Sequence, residues 1–212
     1  MTLHRAAELS ISDLLRQMEG SLGEVASAKS LPSSVYTSER FFEFEKNAIF
    51  FKEWLALGHQ NQIPNPGDYF TVQILDEPLI VARQQDGSIK VLSAICQHRG
   101  HPVIFDCQKE QKGNAPGFVC PYHAWSYQLD GRLRGAPEMS QTVPLSQQRQ
   151  DTGLPELKVE IFHGFIFANF DLDAQPLRPT LDKADAELSH YDFADMEVMP
   201  TLFHEYPWNW KI

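Results

Sequence analysis

Short apolar runs that alternate with polar residues dominate the middle of the chain and predict β-strands. They lie within residues 54–170, and turn-forming pairs such as Pro66-Gly67, Asp86-Gly87 and Asp130-Gly131 separate many of them. The runs are WLALGH, YFTVQIL, PLIVARQ, SIKVLSAI, GFVCP, WSYQL, RLRG, LKVEI and GFIFANF. Strands of this length and spacing predict an antiparallel β domain built from several sheets.

Apolar residues at helical spacing predict helices on both sides of this β region. Residues 9–19 and 38–54 form two of them, with Ser10 or Ser12 and then Ser38 as candidate N-caps. PLRPTLDKADAELSHY predicts a further helix after the β region, and EVMPTLFHEY predicts one more strand.

These elements predict a mainly β fold with three parts. Residues 1–53 form an N-terminal helical extension, residues 54–170 form the β domain, and residues 171–212 form a connector. The chain stops at PWNWKI without a turn or a charged tail, an ending typical of a truncated sequence.

Composition and charge limit the classes of partner. The 212 residues are 42% hydrophobic and 22% charged, as is ordinary for a globular protein, and their net charge is −10. This acidic balance argues against nucleic acid and membrane partners, because binding phosphate requires concentrated Lys and Arg. No apolar run reaches the roughly 20 residues that span a bilayer, and the N-terminus lacks a secretory signal. The sequence therefore predicts a cytoplasmic protein.

The candidate chemistry lies in two short clusters that each contain one cysteine and one histidine. Cys96 and His98 follow one predicted strand, Cys120 and His123 follow another, and 21 residues separate His98 from Cys120. Two thiolates and two imidazoles can bind zinc tetrahedrally, or they can bind a 2Fe–2S cluster with both sulfurs on one iron and both nitrogens on the other. The odd cysteine count argues against a disulfide framework.

The order of the ligands favours the iron–sulfur alternative. A zinc finger carries its histidine pair together on a helix, whereas each loop here has one Cys and one His. The segments CQHRGH and CPYHAW resemble the C-x-H-R-G and C-P-Y-H-G-W signature of the Rieske non-haem iron oxygenases. The resemblance implies a Rieske 2Fe–2S cluster bound by Cys96, His98, Cys120 and His123. Neutral imidazoles in place of two thiolates raise the net charge of the oxidised centre from −2 to 0, and therefore its potential.

Details of the two loops place the resemblance in the low-potential oxygenase branch. Respiratory Rieske proteins carry an extra disulfide at the positions that correspond to His101 and Tyr122, and a serine at the position of Trp125. This chain has neither the cysteines for that disulfide nor the serine. Ala124 departs from the family's glycine. The interval between the clusters is also longer than in the family, through QKEQKGNAPG, which predicts a surface insertion. Gly135-Ala136-Pro137 resembles the loop that shields the cluster.

The resemblance covers about residues 38–212 and implies the function of the whole protein. The chain resembles the Rieske portion of an oxygenase α subunit, and the final WNWKI resembles the start of its catalytic domain. A reductase or ferredoxin would supply electrons, and a mononuclear Fe(II) in the missing catalytic domain, within a homotrimer, would activate O₂. The substrate would be aromatic or a quaternary ammonium compound, and this chain alone would lack the catalytic iron site. The alternatives are a free-standing Rieske ferredoxin and a zinc-stabilised binding module.

The remaining cysteine and histidines are interpreted as bystanders. Cys107 is predicted to be a free thiol and His101 a neighbour of the cluster, because the ligand set is complete without them. His59 is predicted to be structural, and His163 to lie at a hairpin tip. His190 and His204 lack the carboxylate and second histidine at the spacing of a mononuclear iron site.

Overall fold

The computed structural model describes residues 9–104, 111–137, 139, 152–199 and 206–212. The chain divides into two compact units, Met1–Lys52 with Leu202–Ile212, and Glu53–Thr201. No helix within the described ranges is both long enough and apolar enough to cross a membrane.

In its described residues the larger unit contains ten strands in three antiparallel sheets, which confirms the predicted fold class. The strands are β1 (Leu55–His59), β2 (Asp68–Ile74), β3 (Glu77–Arg83), β4 (Ile89–Ser93), β5 (Lys112–Asn114), β6 (Gly117–Val119), β7 (Ser126–Gln128), β8 (Leu133–Gly135), β9 (Lys158–Phe162) and β10 (Phe165–Asn169). Their order is β4-β3-β2-β5, β1-β10-β9 and β6-β7-β8.

Strand β3 separates two hydrophobic cores because successive side chains of a strand point to opposite faces. Ile80 and Ala82 pack into a core that also contains Cys96, Cys120 and one side chain from each of β6, β7 and β8. Leu79 and Val81 pack on the other side, in a core shared with β10. The three-stranded sheet β6-β7-β8 is thereby fixed to the larger sheet.

The second half of the stretch predicted as a surface insertion between the two clusters is largely exposed and forms a short edge strand. Lys112–Asn114 forms β5, which pairs with β2 through Tyr69 opposite Gly113 and completes the four-stranded sheet. Three residues are too few to show an alternating pattern, so the strand depends on pairing with β2. The residues before Gln111 in this stretch lie outside the described part of the chain.

The helices largely match the sequence prediction. They are α1 (Ile11–Met18), α2 (Ser34–Thr37), α3 (Glu39–Glu45) and α4 (Arg178–Leu188), with a π-helical turn at Lys46–Phe50 and 3₁₀ turns at Glu19–Ser21, Gln60–Gln62 and Phe193–Asp195. Ser10 and Ser38 accept backbone hydrogen bonds as N-caps of α1 and α3. Most of the strand predicted at 197–206 lies outside the described residues, and residues 197–199 are not in a strand.

In the smaller unit, residues 206–212 pack against the N-terminal helices. Asn209 donates a side-chain hydrogen bond of 3.2 Å to the carbonyl of Tyr36. The Lys211 ammonium lies 2.9 Å from each oxygen of the Glu45 carboxylate. The ring centroids of Tyr36, Phe41 and Trp210 are within 5.8 Å of the same ammonium. The carboxylate and the ammonium therefore form an ion pair enclosed by aromatic rings.

Candidate metal centre

Two loops with matching backbone hydrogen bonds carry the candidate ligands. In the first loop, Cys96 N–H donates to His101 O at 2.9 Å and Gly100 N–H donates to Cys96 O at 3.0 Å. In the second, Cys120 N–H donates to Trp125 O at 2.8 Å and Ala124 N–H donates to Cys120 O at 3.0 Å. Each cysteine thus begins a loop closed by the residues four and five positions later.

Both loops use a left-handed backbone conformation at the fourth position after the cysteine. Gly100 has φ +69° and Ala124 has φ +58°. Glycine adopts this conformation freely, whereas the Cβ of alanine makes it unfavourable by roughly 1–2 kcal/mol. The departure from the family's glycine at Ala124 therefore coincides with backbone strain in the second loop.

Ala124→Gly is expected to raise the free energy of unfolding by about 1 kcal/mol, because it removes this strain. Urea unfolding of both proteins measures the difference. Gly100→Ala is the matched control and should lower the free energy of unfolding. No heavy atom lies within 4 Å of the added Cβ, so only the conformational cost of a left-handed alanine acts there. Equal stabilities of Ala124→Gly and the parent would contradict the assignment of strain.

The two thiols are buried and lie together. Cys96 and Cys120 are each 2% exposed, and neither forms a disulfide. Both side chains belong to the same hydrophobic core. Burial raises the pKa of the Cys120 thiol, and Cys96 acts in the same direction. A cation must therefore displace the proton if this sulfur is to ligate as a thiolate.

The Tyr127 hydroxyl contacts the thiol pair from β7. Its oxygen lies 3.1 Å from Cys96 Sγ and accepts a hydrogen bond of 3.1 Å from the Gln97 N–H. Burial raises the pKa of Tyr127, with Cys96 acting in the same direction, so the hydroxyl keeps its proton. When Cys96 is a thiolate, the sulfur can only accept, so this hydroxyl is the donor of the 3.1 Å contact.

The two imidazoles form a second pair, nearer the surface. The ring centroids of His98 and His123 are 4.8 Å apart at an interplanar angle of 73°. His123 is exposed, and His98 is partly buried. Burial lowers the pKa of His98, and the charges of His123 and Arg99 act in the same direction. The neutral form, which is the ligating form, is thereby favoured.

This donor set fits a binuclear cluster. The two thiols share one buried core and the two imidazole rings lie edge-to-face at the outer side, which is the separation into sulfur and nitrogen ligands that a Rieske centre needs for its two irons. Within the described residues, no group of three or more His, Cys, Asp or Glu side chains is arranged around a single metal ion.

Comparison with known proteins identifies the fold. Residues 53–158 match the family described as the Rieske [2Fe-2S] domain. The chain belongs to this family. It is 36% identical over 185 residues to the α subunit of biphenyl 2,3-dioxygenase from Rhodococcus jostii (strain RHA1), covering 85% of this chain and 39% of that subunit.

Two further relatives are oxygenases. The large oxygenase component of the naphthalene 1,2-dioxygenase system of Pseudomonas putida is 39% identical over 151 residues, covering 71% of this chain and 33% of that component. The crystal structure of the quaternary ammonium Rieske monooxygenase CntA in complex with L-carnitine has a TM-score of 0.74 at 30% identity, covering 85% of this chain and 50% of that one. The chain thus spans half or less of the length of these relatives.

The structure of the Rieske domain also places the residues flanking the predicted ligands. His101 and Tyr122, at the positions of the respiratory disulfide, face each other with ring centroids 5.5 Å apart. Trp125 is buried and stacks on His98. Ala136, from the predicted shielding loop, lies in the same core as both cysteines.

Apart from His101, which closes the first loop, the histidines interpreted as bystanders lie away from the two loops where the structure describes them. His59 is buried, and its Nδ1 accepts the Asn61 N–H. His163 lies in the β9–β10 turn, with Nε2 2.7 Å from the Asp185 carboxylate. His190 is exposed beside Tyr191. His4, Cys107 and His204 lie outside the described residues.

Sequence reasoning missed Tyr127 as a partner of the cysteines. The signal was present at the start of β7, because Trp125, immediately before the strand, and Tyr127 within it are two residues apart and both point into the core. Both side chains are buried in the core that contains Cys96.

Proposed function

We propose that this chain is the electron-transfer portion of a Rieske-type terminal oxygenase. Cys96 and Cys120 would bind one iron of a 2Fe–2S cluster, and His98 and His123 the other. The observation that carries this proposal is the separation of the four side chains into a buried thiol pair and an outer imidazole pair. The cluster supplies one-electron transfer, from a reductase or ferredoxin to a mononuclear Fe(II) of a catalytic domain.

The burial of the two pairs determines which end of the site meets a partner. The thiol pair is enclosed by the core between β3 and β6–β8 and is shielded from water. His123 and its neighbour Tyr122 are exposed, so the imidazole end is the side at which another protein can approach. Arg99, also exposed, adds positive charge there. We assign electron entry and exit to this side.

Tyr127 tunes the site through its hydrogen bond to Cys96. A donated hydrogen bond stabilises negative charge on sulfur and therefore favours the reduced state over the oxidised state. A thiolate at Cys96 can only accept, so in the cluster-bound state the Tyr127 hydroxyl, 3.1 Å away, would be the donor. Respiratory Rieske proteins have a serine at the position of Trp125. In this chain the Tyr127 hydroxyl would therefore donate without a serine hydroxyl beside it.

The extent of the similarity favours an oxygenase portion over a free-standing ferredoxin. The match of 185 residues to a dioxygenase α subunit extends well beyond the 106 residues of the Rieske match. We infer that the complete protein hydroxylates or demethylates an aromatic or quaternary-ammonium substrate as a homotrimer in the cytoplasm. Residues 54–170 are the proposed Rieske domain, with residues 1–53 preceding it and residues 171–212 leading into the catalytic domain.

A redox titration of the iron-loaded chain tests this function. The parent protein is expected to give a single one-electron wave. Tyr127→Phe is expected to lower the midpoint potential by roughly 60 mV, which corresponds to one hydrogen bond of about 1.4 kcal/mol in a one-electron couple. Removing the donor disfavours the reduced state, so the sign is negative.

Tyr69→Phe is the matched control for the titration. It also removes a phenol hydroxyl, but from a ring that packs edge-on against Phe118, at 5.5 Å. Its midpoint potential is expected to equal that of the parent. The absence of a one-electron wave in the parent would argue against the proposed electron-transfer function. Equal midpoint potentials of Tyr127→Phe and the parent would argue against the proposed tuning by Tyr127.

A further inference from the structure

The indole of Trp125 lies flat against the imidazole of His98. Their ring centroids are 4.7 Å apart, and their planes differ by only 6°. Offset parallel stacking of this kind adds attraction beyond that of simple burial. The contact joins the two loops, because His98 belongs to the first and Trp125 closes the second.

Trp125 is held rigidly by the protein interior. Its side chain is 4% exposed and packs in the core that contains both cysteines. Its carbonyl accepts the 2.8 Å hydrogen bond from the Cys120 N–H, and the next residue, Ser126, begins β7. The indole therefore presents a fixed plane to His98, whose own loop lies largely at the surface.

The second imidazole has a different neighbour. His123 contacts the ring of Tyr122 at a centroid distance of 3.9 Å and an angle of 37°. Tyr122 is 55% exposed, so it provides no buried support. The two imidazoles are thus held unequally: a core indole backs His98, and a surface phenol lies beside His123.

We propose that Trp125 is a positioning residue for His98, setting the plane of that imidazole and holding it in place for iron. The inference rests on the proposed function, because it takes His98 as a cluster ligand. It assigns to Trp125 a role that spans the two loops: an anchor in the second loop orients a ligand from the first.

Pulsed EPR of the reduced, cluster-loaded 212-residue chain tests this role through the couplings of the two histidine nitrogens. Trp125→Leu keeps an apolar side chain but removes the stacking face. We expect it to change one of the two nitrogen couplings and to leave the other. Iron release to EDTA should become roughly threefold to tenfold faster, as the loss of one aromatic stack implies. Trp125→Phe retains an aromatic face and should restore both properties.

Phe118→Leu is the matched control, since Phe118 is a buried aromatic residue of the same core. It should leave both nitrogen couplings unchanged. Unchanged couplings in Trp125→Leu, or the same change in Phe118→Leu, would overturn the proposal. If Trp125→Leu binds no cluster, cluster binding by both Phe118→Leu and Trp125→Phe would support the proposed role of the stacked indole. Loss of the cluster in Phe118→Leu as well would refute that role. A parent protein without any histidine coupling would instead refute the proposed function itself.

Discussion

Replacing Cys96 or Cys120 by Ser is expected to abolish the visible absorption of the iron-loaded protein. Both cysteines are buried in the same core, and a serine hydroxyl at either position does not ionise to give an equivalent ligand. The loss should be complete rather than partial, because the remaining thiolate cannot hold its iron alone. The absorption spectrum and the iron content per chain measure the effect.

Cys107→Ser is the control for this experiment. It removes the remaining cysteine of the chain, which the two-loop pattern excludes from the ligand set. Its spectrum should match that of the parent. An intact spectrum in either Cys96→Ser or Cys120→Ser, or a lost spectrum in Cys107→Ser, would show that the ligand assignment is wrong.

Lys211→Met is expected to lower the free energy of unfolding of the smaller unit by about 3–5 kcal/mol. The side chains of Lys211 and Glu45 are only 11% and 4% exposed, so removing the ammonium leaves a buried carboxylate without its counter-ion. The Trp210 Nε1–H remains 3.4 Å from that carboxylate, but one long hydrogen bond does not replace the charge. Urea unfolding followed by tryptophan fluorescence measures the loss.

Two variants separate the effect of burial from the effect of charge removal alone. Lys90 pairs with Glu156 at 2.6 Å, but both side chains are substantially exposed, so Lys90→Met should cost less than about 1 kcal/mol. Replacing Lys211 by Met and Glu45 by Leu together should recover most of the stability, because neither charge is then left unpaired. A loss in Lys211→Met no larger than in Lys90→Met would contradict this account of the ion pair.

The candidate site shows what local patterns predict. The two Cys–His loops and most strands were predicted because their signals are short: alternation, turn pairs and ligands within four residues. Strand β5 was missed because three residues carry no period and the strand forms only by pairing with β2. The position of Ala124 was noted from the sequence, but its φ of +58° became visible only in the closed loop.

The long-range contacts could not be predicted in the same way. Trp125 and His98 are 27 positions apart along the sequence, and nothing in either loop specifies that their rings are parallel. Glu45 and Lys211 are 166 positions apart, and Glu45 lies on a helix that otherwise reads as an aromatic face with exposed charges. Such contacts arise from the tertiary arrangement of elements that are individually predictable.

The EPR spectrum of the iron-loaded chain after reduction tests the central claim most directly. A 2Fe–2S cluster bound by two thiolates and two imidazoles should give a rhombic signal with the low average g value of a Rieske centre. Cys96→Ser should not show this signal, and the parent should contain two irons per chain. A colourless, EPR-silent parent protein that contains zinc instead of iron would contradict the account.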